Sequence, residues 1–275
     1  MLVAIALLQA HALASPRLIE SSGVAVSHAH PGVLWSHNDS GDGPYLYATD
    51  TTGADRGRLF VSGAENEDWE DIALGQCPTR TGTCVYLGDT GDNLERRTEV
   101  TVYAVPEPDP PTGPADTLRV TAAALALRFH YPDGPHDVEA IYVSPNDTAL
   151  YLVSKGRSGP IRLYRLPRAA WTAGEATATL VERLPITPDL SAGRWVTGAA
   201  MRADGERVAI RTYTEVYFFT PIAGGSLTRL GRPCSVLGLE PQGEAVAFLD
   251  DETLVLTSEA ARGPRASLHV VRCHD

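Results

Sequence analysis

Two triplets of the form D-[ST]-G, Asp39-Ser40-Gly41 and Asp89-Thr90-Gly91, lie in the first third of the sequence. Two aspartates brought together share one proton, because adjacent like charges cannot both ionise, and such a pair does acid–base work. The same triplets could instead be one turn used twice in a structural repeat. A second set of carboxylates opens short apolar runs: Glu70 before Asp71-Ile72-Ala73-Leu74, Glu139 before Ala140-Ile141-Tyr142-Val143, and Glu244 before Ala245-Val246-Ala247-Phe248. Carboxylate oxygens delivered from separate segments to one place are what a hard cation takes as ligands. Which chemistry is available depends on the elements that carry these residues.

Those elements read as strands. Short runs rich in Val, Tyr, Leu and Phe alternate with clusters of Gly, Pro, Asp and Asn, and helical periodicity is nearly absent outside Ser226–Leu230. The runs recur in a fixed order. One copy is Glu139–Ser144, Leu150–Ser154, Ile161–Tyr164 and Ala178–Val181; others begin at Ser22, Glu70, Thr197 and Glu244. The copy at Thr197 takes Cys234–Leu239 as its last strand, and the copy at Glu244 ends one strand short. Pro16-Arg17-Leu18-Ile19 precede the first copy without a repeat of their own, so an N-terminal strand can complete the last unit. The expected fold is all-β: a five-bladed β-propeller of four-stranded blades, closed by the N-terminal strand, an architecture that shields sheet edges and leaves a central channel.

The repeat aligns Ser22, Glu70, Glu139, Thr197 and Glu244 at the start of the five inner strands, where they would point into the channel. Bare carboxylates packed so closely repel one another. Calcium is the expected remedy, since it takes six to eight oxygen ligands and none of the five positions is the His or Cys that a transition metal prefers. The alternative is a hydrated polar plug. The ends of the second strands would surround the mouth with Asn38, Asp39 and Asp89 on one side and Lys155, Arg157 and Arg211 on the other. This is an arrangement for an anionic ligand, with the bases holding phosphate or carboxylate and Asp39 or Asp89 orienting water. Asp39, Asp89, Lys155 and Arg211 are accordingly the catalytic candidates.

The order Ser, Glu, Glu, Thr, Glu resembles the central calcium site of the calcium-activated nucleotidases (apyrases), secreted five-bladed propellers with ligands in the order Ser, Glu, Glu, Ser, Glu. The resemblance implies that Ser22, Glu70, Glu139 and Glu244 are calcium ligands, with Thr197 where the second Ser would stand. Asp-Val-Glu-Ala-Ile (137–141) and Asp-Trp-Glu-Asp-Ile (68–72) resemble, more loosely, phytase-like and SdiA-regulated bacterial propellers. An aspartic protease is disfavoured: its D-[ST]-G follows a strongly apolar pair, and here the preceding residues are His37-Asn38 and Leu87-Gly88. Both triplets fall at the same point of the first two blades, in a register uncertain by one residue.

Composition narrows the partners. The 275 residues carry a formal net charge of −11, which argues against nucleic acid and against an anionic membrane surface. The opening run MLVAIALLQAHALA ends in a small-x-small pattern before Ser15, so residues 1–14 read as a signal peptide and 15–275 as one domain. The basic region usual at the start of a leader is missing, which keeps open a buried first strand or helix, or a start placed too far downstream. Four cysteines suit an oxidising compartment. Cys77 and Cys84 bracket a turn-rich hexapeptide that a disulfide would close, leaving Cys234 and Cys273 to pair by elimination, and C-x₆-C is not the usual zinc spacing.

Together these features describe a secreted or periplasmic monomer that binds calcium, with a charged mouth for a small anionic ligand or a protein partner. The alternative is a calcium-dependent hydrolase of phosphate esters. A glycosidase would need an aromatic-lined groove that a sequence with 7% aromatic residues does not advertise.

Overall fold

The computed structural model describes residues 5–112, 118–186 and 192–273. The strands form five sheets, each an antiparallel meander running from the central axis outwards. Blade 1 comprises Ser21–Val26, Leu34–Asn38, Tyr45–Thr49 and Arg58–Phe60; blade 2 comprises Trp69–Gln76, Thr83–Asp89, Val100–Pro106 and Leu125–His130. Blade 3 is Val138–Val143, Leu150–Ser154, Arg162–Leu166 and Thr179–Arg183, and blade 4 is Val196–Met201, Val208–Thr212, Glu215–Pro221 and Leu227–Ser235. Blade 5 takes Gly243–Phe248, Thr253–Ser258 and Ser267–Cys273 from the end of the chain and Ile5–Ala12 from its beginning. The inner strands touch one another cyclically, so the ring is closed.

The five-bladed propeller is thus the observed architecture, with three departures from expectation. The closing strand is Ile5–Ala12, antiparallel to Ser267–Cys273, and Pro16–Ile19 are not a strand. An outer strand needs only a modest apolar content, and Leu7 and Leu8 stay half exposed. Removal of residues 1–14 would leave blade 5 with three strands. Second, Leu227–Ser235 is the outer strand of blade 4, so Ser226–Leu230 is not helical and the strand begins before, and overlaps only the start of, the expected Cys234–Leu239. Here antiparallel pairing with Glu215–Pro221 overrides local periodicity. Third, blades 1 and 2 each gain a short parallel strand, Leu118–Val120 and Glu175–Thr177, from the connection between the third and fourth strands of the next blade.

An apolar cluster occupies each of the five junctions between blades. Trp35 and Trp69 sit between blades 1 and 2, Phe129 and Tyr164 between blades 2 and 3, Tyr142 and Phe219 between 3 and 4, Val216 and Leu256 between 4 and 5, and Leu34 and Val255 between 5 and 1. Burying each of these large side chains contributes roughly 1.5–3 kcal/mol, which is why alternate residues on every strand are apolar on both faces. Both disulfides form as expected: Cys77–Cys84 closes a hairpin turn within blade 2, and Cys234–Cys273 ties blade 4 to blade 5. No helix among the described residues is long and apolar enough to cross a membrane.

Candidate functional site

Every inner strand begins with the same irregularity. Its pairing with the second strand slips by one residue between Ser21 and Gly23, Trp69 and Asp71, Val138 and Ala140, Val196 and Gly198, and Gly243 and Ala245. The unpaired residue in each case is Ser22, Glu70, Glu139, Thr197 or Glu244. A bulge re-aims a side chain that would otherwise alternate with its neighbours, and five equivalent bulges turn these residues to one end of the channel. All five are buried, at 1–4% exposure.

The two hydroxyls serve the ring itself. Ser22 Oγ donates to the carbonyl of Glu70 at 2.7 Å and Thr197 Oγ1 to that of Gly243 at 3.1 Å, each reaching the next blade. The glutamates are differently placed. Glu139 accepts a hydrogen bond from the Lys155 ammonium at 2.5 Å. Glu244 accepts one from Gln242 Nε2 at 3.1 Å. The Glu70 carboxylate accepts no hydrogen bond among the described residues, although it is buried, and it lies in two acidic groups whose oxygens are within 4.8 Å of one another: Asp39, Asp68 and Glu70, and Glu70, Asp137 and Glu139.

This crowding alters the acidities. Burial, reinforced by Glu139, Asp39 and Asp68, holds Glu70 well above the usual carboxylate range. Burial also raises Glu139, which Lys155 opposes and Asp137 and Glu244 reinforce. Glu244 is pushed up to about 8 by burial and by Glu259, Asp68 to about 7 by burial and Asp39, and Glu259 to about 7 by burial and Asp39. Loss of hydration lowers the Lys155 pKa, but Glu139, Tyr213, Glu70 and Asp137 together outweigh it and hold it above its ordinary value. This end of the channel gathers more acids than it has bases to pair with them, and part of that surplus is held as bound protons.

The bases do not form the expected anion-binding side. Arg211 is fully buried; it donates to the carbonyls of Ala245 at 2.7 Å and Thr257 at 3.4 Å and is paired with Glu240. Arg157 is 3.4 Å from Asp137, bonds Asn93 and stacks over Trp195 at 4.6 Å. With Lys155 on Glu139, each base faces an internal acid. A sequence reading counts charges, whereas pairing depends on which neighbour each side chain meets.

Asn38 and Asp89 are likewise committed. Asn38 lies opposite Ser21 and Asp89 opposite Trp69, so these two are equivalent and Asp39 is displaced by one position. Both cap the loop entering their own blade: Asn38 Oδ1 accepts from the amides of Ile19 and Glu20, and Asp89 from those of Glu67 and Asp68. Asp89 also meets Arg97 at 3.0 Å. The two D-[ST]-G aspartates therefore form no dyad: Asp39 groups with Asp68 and Glu70, while Asp89 is 2% exposed and spent on the backbone.

Sequence reasoning missed Asp68 and Asp137 as members of the acidic group. Both stand two residues before an aligned glutamate, in Asp68-Trp69-Glu70 and Asp137-Val138-Glu139, and Glu20 and Gln242 hold the same place in blades 1 and 5. That D-x-E spacing was the available signal. Gly91 completes the arrangement: a Cβ there would overlap Glu70 Oε1 and Asp68 Oδ2, so the glycine of the second triplet lets both carboxylates lie against the main chain.

Among solved structures, the chain is similar to the PQQ-bound aldose sugar dehydrogenase of Streptomyces coelicolor, with 12% identity, a TM-score of 0.55 and 98% of each chain covered. It is also similar to the major Malassezia sympodialis allergen Mala s 1, with 10% identity, a TM-score of 0.57, and 97% and 96% of the two chains covered. These are likenesses of fold. No family model matches the chain, and no curated protein matches it in sequence.

Proposed function

We propose that this propeller binds a divalent cation, calcium, at the acidic end of its channel, and that the cation rigidifies a mouth that receives a ligand or protein partner. The observation that carries the reading is the Glu70 carboxylate, buried without a donor and grouped with Asp137 and Glu139. The donors are oxygens throughout, which suits calcium over a transition metal. Glu70, Glu139 and Asp137 would hold it, with Asp39, Asp68 and Glu244 nearby; the resemblance in ligand order to calcium-activated nucleotidases points the same way. When bound, the ion would neutralise the surplus charge and polarise an oxygen of a ligand. Two disulfides suit an oxidising, secreted or periplasmic setting.

Lys155 bears on the same reading. Its ammonium occupies one carboxylate as an internal cation, so calcium binding would compete for Glu139 or leave it with Lys155 and use Glu70 instead. The phosphate-ester hydrolase reading is weaker, because Arg157 and Arg211 already face internal acids and a phosphate would meet net negative charge. It would require the bound cation to reverse that charge.

Titration with calcium chloride, followed by calorimetry and thermal unfolding, tests the proposal. Calcium should raise the unfolding midpoint, EDTA should reverse the rise, and Glu70→Gln should weaken binding at least about tenfold, the loss of one charged ligand. An unchanged midpoint together with no metal by elemental analysis would sink it.

A further inference from the structure

The opposite end of the channel differs in lining. There the inner strands run out beyond the bulges, and their side chains enclose an axial cavity of about 170 Å³ lined by Val24, Ile72, Val143, Ala199, Met201 and Ala247. Part of its room comes from Ala199, which stands where the other inner strands carry Val24, Ile72, Ile141 and Val246. Beside it, between blades 3 and 4, a cleft of about 350 Å³ is lined by Tyr142, Ser144, Asn146, Asp147, Tyr151 and the Pro221–Gly225 turn. Tyr142 and Met201 border both cavities.

The two chambers differ in chemistry. The axial one is lined mainly by aliphatic side chains, with His28 and Tyr142 among them. The cleft has polar groups on its walls, and the Tyr142 hydroxyl at the partition is buried with no hydrogen-bond partner. A buried hydroxyl left unmatched costs stability unless something supplies a partner. The Tyr142 ring is fixed by stacking on Tyr151, with centroids 5.0 Å apart and planes 6° from parallel. Asp147 brings no free charge, since it pairs with Arg165 at 3.0 Å and accepts from Tyr151 at 2.9 Å. Met201, unbranched and adaptable, lines both chambers.

We infer that the two chambers form one site for a small neutral amphiphile, with an apolar tail in the axial cavity and a hydroxyl-bearing head in the cleft against Tyr142. The site is independent of the cation proposal, because it lies at the other end of the channel and uses none of the carboxylates.

The test uses octyl β-D-glucopyranoside below its micelle concentration, against methyl β-D-glucopyranoside and 1-octanol, read by calorimetry and thermal shift on the full chain. The octyl glucoside should bind at least about tenfold more tightly than either half molecule, since only it fills both chambers. Ala223→Trp, in the exposed turn over the cleft, should weaken it by about tenfold or more. Tyr142→Phe should weaken it roughly fivefold to tenfold, the worth of one hydrogen bond, without lowering the unfolding midpoint of the free protein. Equal binding of all three probes, no binding of any, or undiminished binding to Ala223→Trp would overturn the proposal. So would a lowered midpoint in free Tyr142→Phe, which would mean that the hydroxyl is already satisfied. Glu139→Gln should bind the octyl glucoside as the wild type does.

Discussion

The same five inner strands make both ends of the channel, yet one end gathers Glu70, Glu139 and Glu244 and the other gathers valine, isoleucine and alanine. What separates them is one extra residue per strand. Ahead of the bulge the chain has left the pleat, and side chains point along the axis where carboxylates meet. Beyond it, regular alternation resumes and each strand delivers apolar residues to its neighbours. Asp71 is the partition. Its buried carboxylate accepts amides from Ile72 at 2.8 Å, Ile141 at 2.9 Å and Ala199 at 3.2 Å, joining blades 2, 3 and 4 at the axis. Burial raises its pKa well above normal and these donors oppose the rise. A fold can therefore give opposite chemistry to the two mouths of one channel without changing its topology.

The largest effect should come from removing the internal cation. Lys155→Met leaves Glu139 uncompensated and should cost about 3–5 kcal/mol in metal-free urea unfolding, with calcium restoring more stability than it gives the wild type. Wild-type stability in the metal-free variant would mean that the two ends are not distinguished by charge. Asp71→Ala strips the partition and should cost about 3 kcal/mol, because the amides of Ile141 and Ala199 lose their acceptor; Asp71→Asn, which keeps one acceptor oxygen, should cost less. Equal losses would show that packing, not hydrogen bonding, holds the partition.

A subtler substitution separates the two mouths. Gly91→Ala should push Glu70 and Asp68 apart and reduce calcium affinity by about tenfold or more, while octyl glucoside binding at the other end stays as it was. Loss at both ends would break the comparison. The smallest effect is in pH. Asp68, Glu259 and Glu244 hold protons up to about 7, 7 and 8 in the folded chain, whereas in the unfolded chain they release them near 4. The folded state binds more protons across that window, so metal-free stability should fall as pH rises from about 5 to about 8 and level off above it. Calcium should flatten the slope. Urea midpoints at the two extremes, with EDTA and with calcium, check both statements.

Much of this contrast is written in the residues. Strand-length apolar runs bounded by turns identified the blades, and the five aligned oxygen-bearing residues proved to be the bulged ones, although the bulges themselves were not legible. Pairing was not legible. Arg211 lies at the end of one second strand and Lys155 just after another, but the first is paired with Glu240 and the second faces Glu139, and nothing in the local sequence distinguishes them. The first apolar run was ambiguous for a physical reason: a leader and an outer strand both need a short stretch of Leu, Ile and Ala, and only the pairing of Ile5–Ala12 with Ser267–Cys273 shows the second use.

That pairing has a consequence for synthesis. Among the propeller's described strands, Ile5–Ala12 is made first and finds its place last, since its partner Ser267–Cys273 is the last of them to be made. While the rest of the propeller is made, Ile5–Ala12 must wait as an unpaired, partly apolar ribbon, and blades 1 to 4 can stack only into an open arc. Ring closure is then a single late event joining the most distant parts of the chain, the kind of contact that slows folding and leaves an exposed edge while it is pending.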